Sequence, residues 1–327
     1  MDTPVLHQYL WNENKKENQV EAFYLYQILK KHGIIIKLVE PVQVMEVFIV
    51  LTSVFSVAIQ IGPLSIRWYG IINCLAMLAA IFVAYREAKR EHLNPDHLLN
   101  LALLIIPLGV IGARIYFVVM HWSYYAQHIG EIVQIWKGGL AIHGGILLGL
   151  LTILWYCRHK KLSFLRWADL IVLGVILAQA IGRWGNYVNA ELYGPVIEAG
   201  SPWSWIPFQV YADGAYHHPT FLYESVWDLL GFFLLLSLIR RLHRIGMIFS
   251  IYLMFTSFGR FFIEIIRMDM LMLFGVRQCY ITCPLMFLTG AILSILIRHR
   301  PKVDVTAIPK VGEPRLGRDY YKYKNKK

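Results

Sequence analysis

The sequence predicts an all-α, polytopic membrane protein of about seven transmembrane helices, and three observations predict it. Of 327 residues, 57% are hydrophobic and only 16% charged, and the mean hydropathy of +0.49 lies well above that of a soluble chain of this length. Seven apolar segments come close to or exceed the roughly 20 helical residues that a bilayer core of about 30 Å takes. Clusters of Lys and Arg occupy every second connection between them, the pattern that orients helices across a membrane.

In chain order the segments are residues 66–84, 97–120, 138–157, 168–182, 221–239, 246–266 and 280–297. An eighth candidate, residues 42–62, is interrupted by Glu46 and Gln60 and stays open between a span and an interfacial segment. Residues 1–60 then form an N-terminal extension containing that segment, 61–298 the transmembrane domain and 299–327 a basic cytoplasmic tail. The opening "MDTPVLHQYLWNENKKENQVEAFYLYQ" lacks the basic, apolar and small-residue regions of a cleavable leader, so insertion is expected to rely on the spans.

The net charge of +11 does not point to nucleic acid. Residues 298–327 hold ten Lys/Arg against three Asp/Glu and so carry +7 of it, and the rest sits mainly in short loops. Cys74 and Cys157 lie in apolar runs and Cys279 and Cys283 are spaced C-x3-C, which implies neither a disulfide framework nor a metal site. G-x-S-x-G, H-E-x-x-H and G-x-x-x-x-G-K-[ST] are all missing, so serine-hydrolase, zincin and P-loop chemistries lack their parts. No cofactor or metal is expected, and a nucleophile would come from a substrate.

The loops "YREAKREH" (85–92), "RHKKLSFLR" (158–166) and "RRLHR" (240–244), together with the tail, are all placed inside by the positive-inside rule if the first of seven spans starts outside. The stretch "IGRWGNYVNAELYG" (181–194) is then expected outside, as an exit loop. The same reckoning puts "IRWYG" (66–70), "GGLAIHGG" (138–145), "HHPTFLYE" (217–224) and "GRFFIEIIR" (259–267) at outer ends, which predicts an active site on the outer-leaflet side.

Ionisable groups at the hydrocarbon margin cost several kcal/mol unless they are paired or face a wet cavity. Arg67, Arg183 and Arg260 are therefore candidates for binding an anion, against the simpler reading of headgroup anchors. Arg260, Glu264 and Arg267 recur at i, i+4 and i+7, on one helical stripe, where Glu264 also neutralises its neighbours. With Arg183, whose guanidinium can grip a phosphate bidentately, they suit an anionic headgroup. Asn186 and Asn189 offer donors and acceptors to hydroxyl groups, or build a turn. His143, in "IHGG", is flanked by glycines that open space beside it, and histidine is the side chain type that suits proton transfer at physiological pH. His217, His218 and Glu224 could do similar work.

In this order and spacing, "IGPLSIRWYG", "GGLAIHGG", "GRWGNYVNAELYG", "HPTFLYE" and "GRFFIEIIR" resemble the motifs of prolipoprotein diacylglyceryl transferase over about residues 61–298. The resemblance implies a seven-helix enzyme of the bacterial cell inner (cytoplasmic) membrane. Such an enzyme moves the diacylglyceryl group of phosphatidylglycerol onto the lipobox cysteine thiol of a preprolipoprotein, forms a thioether and releases glycerol phosphate. The implied partners are phosphatidylglycerol, preprolipoprotein substrates and membrane lipids. Tyr69 and His143 match the family's tyrosine and histidine, Arg183, Asn186, Glu191 and Gly194 its loop motif, and Arg260 and Glu264 its late arginine and glutamate.

His143, Arg183 and Arg260 are thus the expected catalytic residues; Tyr69, Asn186, Glu191, Gly194 and Glu264 bind substrate, joined on their own chemistry by Arg67, Asn189 and His218. The chain departs from the family pattern at Ala190, where glycine is common, at Thr256, where tyrosine is common, and in an N-terminal extension of roughly fifty residues. A lipid or anionic-solute transporter with an arginine-lined pathway is the competing reading, but the inner halves of the spans are mostly apolar.

The orientation is open to direct test. In a background without cysteine, a cysteine placed at Ser201 is expected to react with an impermeant maleimide in intact cells and one at Ser163 is not. The reverse pattern overturns the assigned topology.

Overall fold

In the computed structural model the described residues are 57–61, 64–198, 200–242, 244–268, 272–273 and 276–299. The chain divides into two units, Met1–Ile71 with Gly185–Pro219 and Ile72–Trp184 with Thr220–Lys327. The divisions fall inside two helices.

Eight α-helices occur among the described residues: α1 (Trp68–Arg90), α2 (Asp96–Met120), the single turn α3 (Trp122–Tyr125), α4 (Ile142–His159), α5 (Phe164–Val188), α6 (Thr220–Ile239), α7 (Met247–Ile266) and α8 (Gln278–Arg298). All but α3 coincide with the seven predicted segments. Six, α1, α2 and α5 to α8, are long and apolar enough to cross a membrane. The 18 residues of α4 reach about 27 Å at 1.5 Å per residue. Their outer faces carry exposed leucine, isoleucine, valine and phenylalanine, including Leu78, Phe82, Leu103, Val119, Ile146 and Leu285, which only an apolar solvent would tolerate in such number. The protein is a polytopic, all-α, multi-pass membrane protein.

The helix ends differ from the apolar segments for identifiable reasons. Hydropathy marks the bilayer, whereas a helix continues wherever its residues favour it. Hence α1 runs on through "YREAKR", assigned above to a loop, because Ala, Glu, Lys and Arg are good helix formers. Likewise α5 starts at Phe164 and continues through Arg183, Gly185 and Asn186 to Val188, so the expected exit loop is mostly helix. By contrast α4 starts four residues later than predicted, since Gly138 and Gly139 adopt φ of 89° and 73° and cannot join it.

Of the candidate segment 42–62, residues Val57–Ile61 form strand β1, antiparallel to β2 (Leu64–Arg67), and the remainder lies outside the described residues, as do most of the N-terminal extension and the tail. The first unit also holds the hairpin of β3 (Val210–Ala212) and β4 (Ala215–His217), closed by Asp213 and Gly214 at φ of 49° and 82°. A minimal pair, β5 (Met272–Leu273) and β6 (Val276–Arg277), precedes α8 in the second unit.

In the second unit α5 supplies the centre of the core. Leu170, Leu173 and Ile176 are buried against Leu235 and Ile239 of α6 and Ile248 of α7. Asp169, an acid within an apolar run, caps the start of α7: its carboxylate accepts from the backbone N–H groups of Gly246 (2.5 Å) and Phe249 (2.8 Å), two donors that a helix start leaves unpaired. At the end of α1, Glu87 meets Arg90 (2.6 Å) and Arg240 (3.5 Å), and Glu91 meets Arg166 (2.8 Å), so part of the basic-loop charge is paired.

Contact between α2 and α4 depends on glycine. A Cβ on Gly112 or on Gly144 would run into the other residue's backbone, the close approach that small residues allow between membrane helices. Between α6 and α7, the Trp227 indole donates to Phe255 O (3.1 Å) and lies over Gly259, where a Cβ would strike it.

Gly144→Ala is accordingly expected to lower stability by about 1–3 kcal/mol, the usual cost of overpacking, read as a fall in unfolding midpoint in detergent. Gly149→Ala, whose Cβ would rest 3.6 Å from Ile105 Cγ2 in ordinary contact, should hold or raise it. Equal midpoints for the two variants would contradict the packing.

Candidate active site

Three helix ends of the second unit bring together a chain of ion pairs. Arg183 is presented by the last turns of α5, Glu224 by the first turns of α6, Arg260 and Glu264 by the end of α7, and Arg267 by the extended residue that caps α7. Arg183 Nε lies 2.5 Å from Glu224 Oε2, and the other oxygen, Oε1, is 3.7 Å from Arg267 Nη1. That same Nη1 is 3.3 Å from Glu264 Oε2, which is 4.0 Å from Arg260 Nη2. Trp184 Nε1 donates to Ser225 Oγ (3.2 Å), which donates to Ala180 O (2.8 Å), and so α5 is stitched to α6 beside the first pair.

The middle of the chain is dry and its ends are not. Side chains of Glu224, Glu264 and Arg267 are only 6–7% exposed, against 18% for Arg183 and 43% for Arg260. Among the described residues Arg183 Nη1 and Nη2 have no partner, and Arg260 has only its long contact to Glu264. Three guanidinium groups and two carboxylates leave one net positive charge, offered at the two accessible ends.

His143 sits in the first turn of α4, beside Tyr116 of α2 at 5.9 Å between ring centroids. Its Nε2 lies 2.6 Å from the carboxamide nitrogen of Gln278, the first residue of α8. The preceding residue, Arg277, donates from Nη1 to Glu264 O (2.9 Å), so the start of α8 touches both the histidine and the ion-pair chain. The glycines after His143 serve the packing of α4 on α2 rather than opening space for a ligand, a correction to the sequence reading. The start of α4 is itself held by Arg114 of α2. This buried arginine donates to Glu131 O and Ile132 O (both 2.7 Å) and to Gly138 O and Gly139 O (2.7 and 2.9 Å).

In the first unit the end of α5 runs into a tight loop. Glu191 Oε1 accepts from Asn186 Nδ2 (2.8 Å) and Asn189 Nδ2 (3.4 Å), and the Glu191 N–H donates to Asn186 O (3.0 Å). Ala190 and Leu192 adopt φ of 49° and 60°, left-handed values that cost an L residue roughly 1–2 kcal/mol each. The first is the position where the resemblance expects glycine, which would adopt that conformation freely. Gly194 N–H donates to His218 O (2.9 Å), and both ring nitrogens of the buried His217 face carbonyls, Gly194 O at 2.8 Å and Ala212 O at 3.2 Å. Partial burial holds the His218 imidazole below its ordinary pKa. Arg67 ends β2 and Tyr69 lies in the first turn of α1, both exposed.

A family model described as prolipoprotein diacylglyceryl transferase matches residues 56–296. The chain belongs to this family. Phosphatidylglycerol–prolipoprotein diacylglyceryl transferase of Limosilactobacillus reuteri is 44% identical over 251 residues, covering 75% of this chain and 91% of its own length. The same-named proteins of Symbiobacterium thermophilum (44% over 259 residues, 77% and 96%) and Streptococcus uberis (40% over 250 residues, 75% and 96%) are comparably similar.

As a prolipoprotein diacylglyceryl transferase the protein is an enzyme of lipoprotein maturation, and the transporter reading is not favoured. Of the residues expected at this transferase's site, the second unit joins Arg183, Arg260 and Glu264 in one chain and reaches His143 through Arg277 and Gln278, the last residue of β6 and the first of α8. The first unit joins Asn186, Asn189 and Glu191, and separately Gly194 and His218. Two of the alternatives to His143 are committed elsewhere, His217 to backbone carbonyls and Glu224 to arginines. Thr256 turns its hydroxyl back to Tyr252 O (2.8 Å) and does not replace the family's tyrosine. Sequence reasoning undervalued Glu224 and Arg267 and missed Arg114 and Gln278. For Arg267 the signal was its place on the stripe; for Glu224 it was an acid one turn into an apolar segment.

The split between a buried middle and exposed ends predicts opposite variant behaviour. Arg267→Met leaves two buried carboxylates short of a partner and is expected to destabilise by about 3–5 kcal/mol, whereas Arg260→Met changes stability by no more than about 1 kcal/mol. Chemical unfolding in detergent reads both, and similar losses would remove the distinction.

Proposed function

We propose that the protein transfers the diacylglyceryl group of phosphatidylglycerol to the lipobox cysteine of preprolipoproteins, at the outer side of the bacterial cytoplasmic membrane. The observation that carries this is the ion-pair chain with two accessible arginines at its ends. A guanidinium whose Nε is already held by Glu224 keeps the pair of terminal N–H groups that suits two oxygens of a phosphate.

The reaction follows from that placement. His143 takes the thiol proton, and the thiolate forms a bond to the diacylglyceryl carbon as the bond from that carbon to phosphate oxygen breaks. The departing glycerol phosphate gains a second negative charge, which Arg183 and Arg260 meet. No protein nucleophile is needed, in keeping with the absence of hydrolase motifs from the sequence. Asn186, Asn189, Glu191 and Gly194 suit the hydroxyl groups of a glycerol headgroup, and Arg67, Tyr69, His218 and Glu264 are assigned to substrate binding.

Mass analysis of a lipobox peptide incubated with the purified protein in phosphatidylglycerol vesicles should show the peptide gaining one diacylglyceryl group on its cysteine. No gain with correctly folded protein overturns the proposal. Arg260→Lys keeps the charge but loses the planar pair of donors, and turnover should fall at least about tenfold, about 1.4 kcal/mol in the barrier. A loss below about twofold would make Arg260 a headgroup anchor.

A further inference from the structure

Gln278 is an uncharged side chain at the start of α8 that belongs to none of the motifs read from the sequence, yet its carboxamide is the group in hydrogen-bond reach of the His143 ring. We propose that Gln278 is the positioning residue for His143: its carboxamide holds the ring at Nε2 and so sets the direction in which the imidazole meets the thiol. The inference rests on the reading of His143 as base and adds what orients it.

The argument is geometric. An imidazole offers two nitrogens, and the one engaged by a fixed partner determines which is left for the substrate. At 2.6 Å, Nε2 is fully engaged by Gln278. Among the described residues Nδ1 has no hydrogen-bond partner, and the neighbouring ring, Tyr116 from α2, packs against the imidazole face at a tilt of 35°. The ring is therefore held at one nitrogen and unbonded at the other.

The chemistry of the amide completes it. A carboxamide has a donor and an acceptor related by a half-turn, so it can bond Nε2 whether or not that atom carries hydrogen. The structure sets the amide nitrogen toward Nε2, and a half-turn brings the oxygen to the same place once the ring is protonated. The ring is thus held before and after proton transfer, whereas an apolar side chain would hold nothing.

The position of Gln278 is well enforced. Arg277, one residue before it, is tied to Glu264 O. Cys279, one residue after it, lies buried with its Sγ directed to Arg260 O at 3.8 Å. The start of α8 is thereby locked to the end of α7, and the histidine is referred to the same frame as the arginines.

The test measures transfer to a lipobox peptide in phosphatidylglycerol vesicles as a function of pH for the parent, Gln278→Leu, Gln278→Glu and His143→Gln. Gln278→Leu should lower kcat about tenfold or more with peptide KM within about twofold, since general-base catalysis supplies 10²–10⁴-fold and only its alignment is lost. Gln278→Glu should retain more activity than Gln278→Leu, and the acidic limb of its pH–rate profile should move to higher pH by roughly one unit or more, because an opposite charge within about 4–6 Å favours the imidazolium. A merely structural residue would not move that limb.

Parent-like kcat in Gln278→Leu, or an acidic limb in Gln278→Glu that coincides with the parent's, overturns the positioning role. If Gln278→Leu does not fold, the pH profile of Gln278→Glu decides alone. Loss of activity in His143→Gln with parent-like Gln278 variants rejects this inference and spares the base. Full activity in His143→Gln rejects both.

Discussion

Charge set among apolar helix ends must be paired, and the ion-pair chain from Arg183 to Arg260 is how this protein meets that requirement. Each buried carboxylate serves two arginines, and the buried Arg267 serves two carboxylates, so no charge in the dry middle stands alone. Such a chain contributes little net stability, since desolvating its three buried ionised groups offsets most of their attraction. Its effect is to specify geometry. The end of α5, the start of α6 and the end of α7 can be assembled in few ways that keep every partner, and two of those ends carry the arginines proposed to meet the phosphate.

His143 is placed by a different device, because no carboxylate is needed to hold it. Arg114 satisfies its guanidinium with four backbone carbonyls, which shapes the segment between α2 and α4 and delivers Gly138 and Gly139 in the left-handed conformation that delays the helix. The close approach of Gly112 and Gly144 then fixes how α4 lies on α2. Only after these two constraints does His143 reach Gln278. A cation buried within an apolar helix thus shapes the backbone that leads into His143, four residues after Gly139.

The helices were legible in the sequence because a bilayer imposes a length and a composition on whatever crosses it. Their ends were less so. The run "YREAKR" was read as loop from its charge, although its residues are strong helix formers, and Arg183 and Asn186 were read as leaving a helix that in fact carries them. The arginines, His143 and Glu264 stood out because ionisable groups near hydrocarbon are rare. Arg114 meets the same rule and was passed over, because its partners are carbonyls, which every residue has, and no second ionisable group nearby pointed to a pairing. Gln278 was hidden for a related reason: a neutral amide acquires meaning only from the ring that faces it, and that ring is 135 residues away. The pairing of Glu224 with Arg183 is equally tertiary.

The charges of the second unit fit the proposed reaction at both of its ends. The three arginines and two glutamates of the ion-pair chain sum to +1. A phosphodiester arriving with one negative charge is matched. As the carbon–oxygen bond breaks, the leaving group moves toward two negative charges, and at the same stage the thiol proton on His143 raises the local sum to +2. The attraction therefore grows along the reaction coordinate instead of being spent on the bound substrate, which is the condition for lowering a barrier rather than only tightening binding. A fixed cluster of +2 without a titrating partner would hold the product phosphate as firmly as it stabilised its departure. Passing the second charge through an imidazole lets it disappear again when the proton leaves, so the same arrangement that favours bond cleavage also permits glycerol phosphate to go.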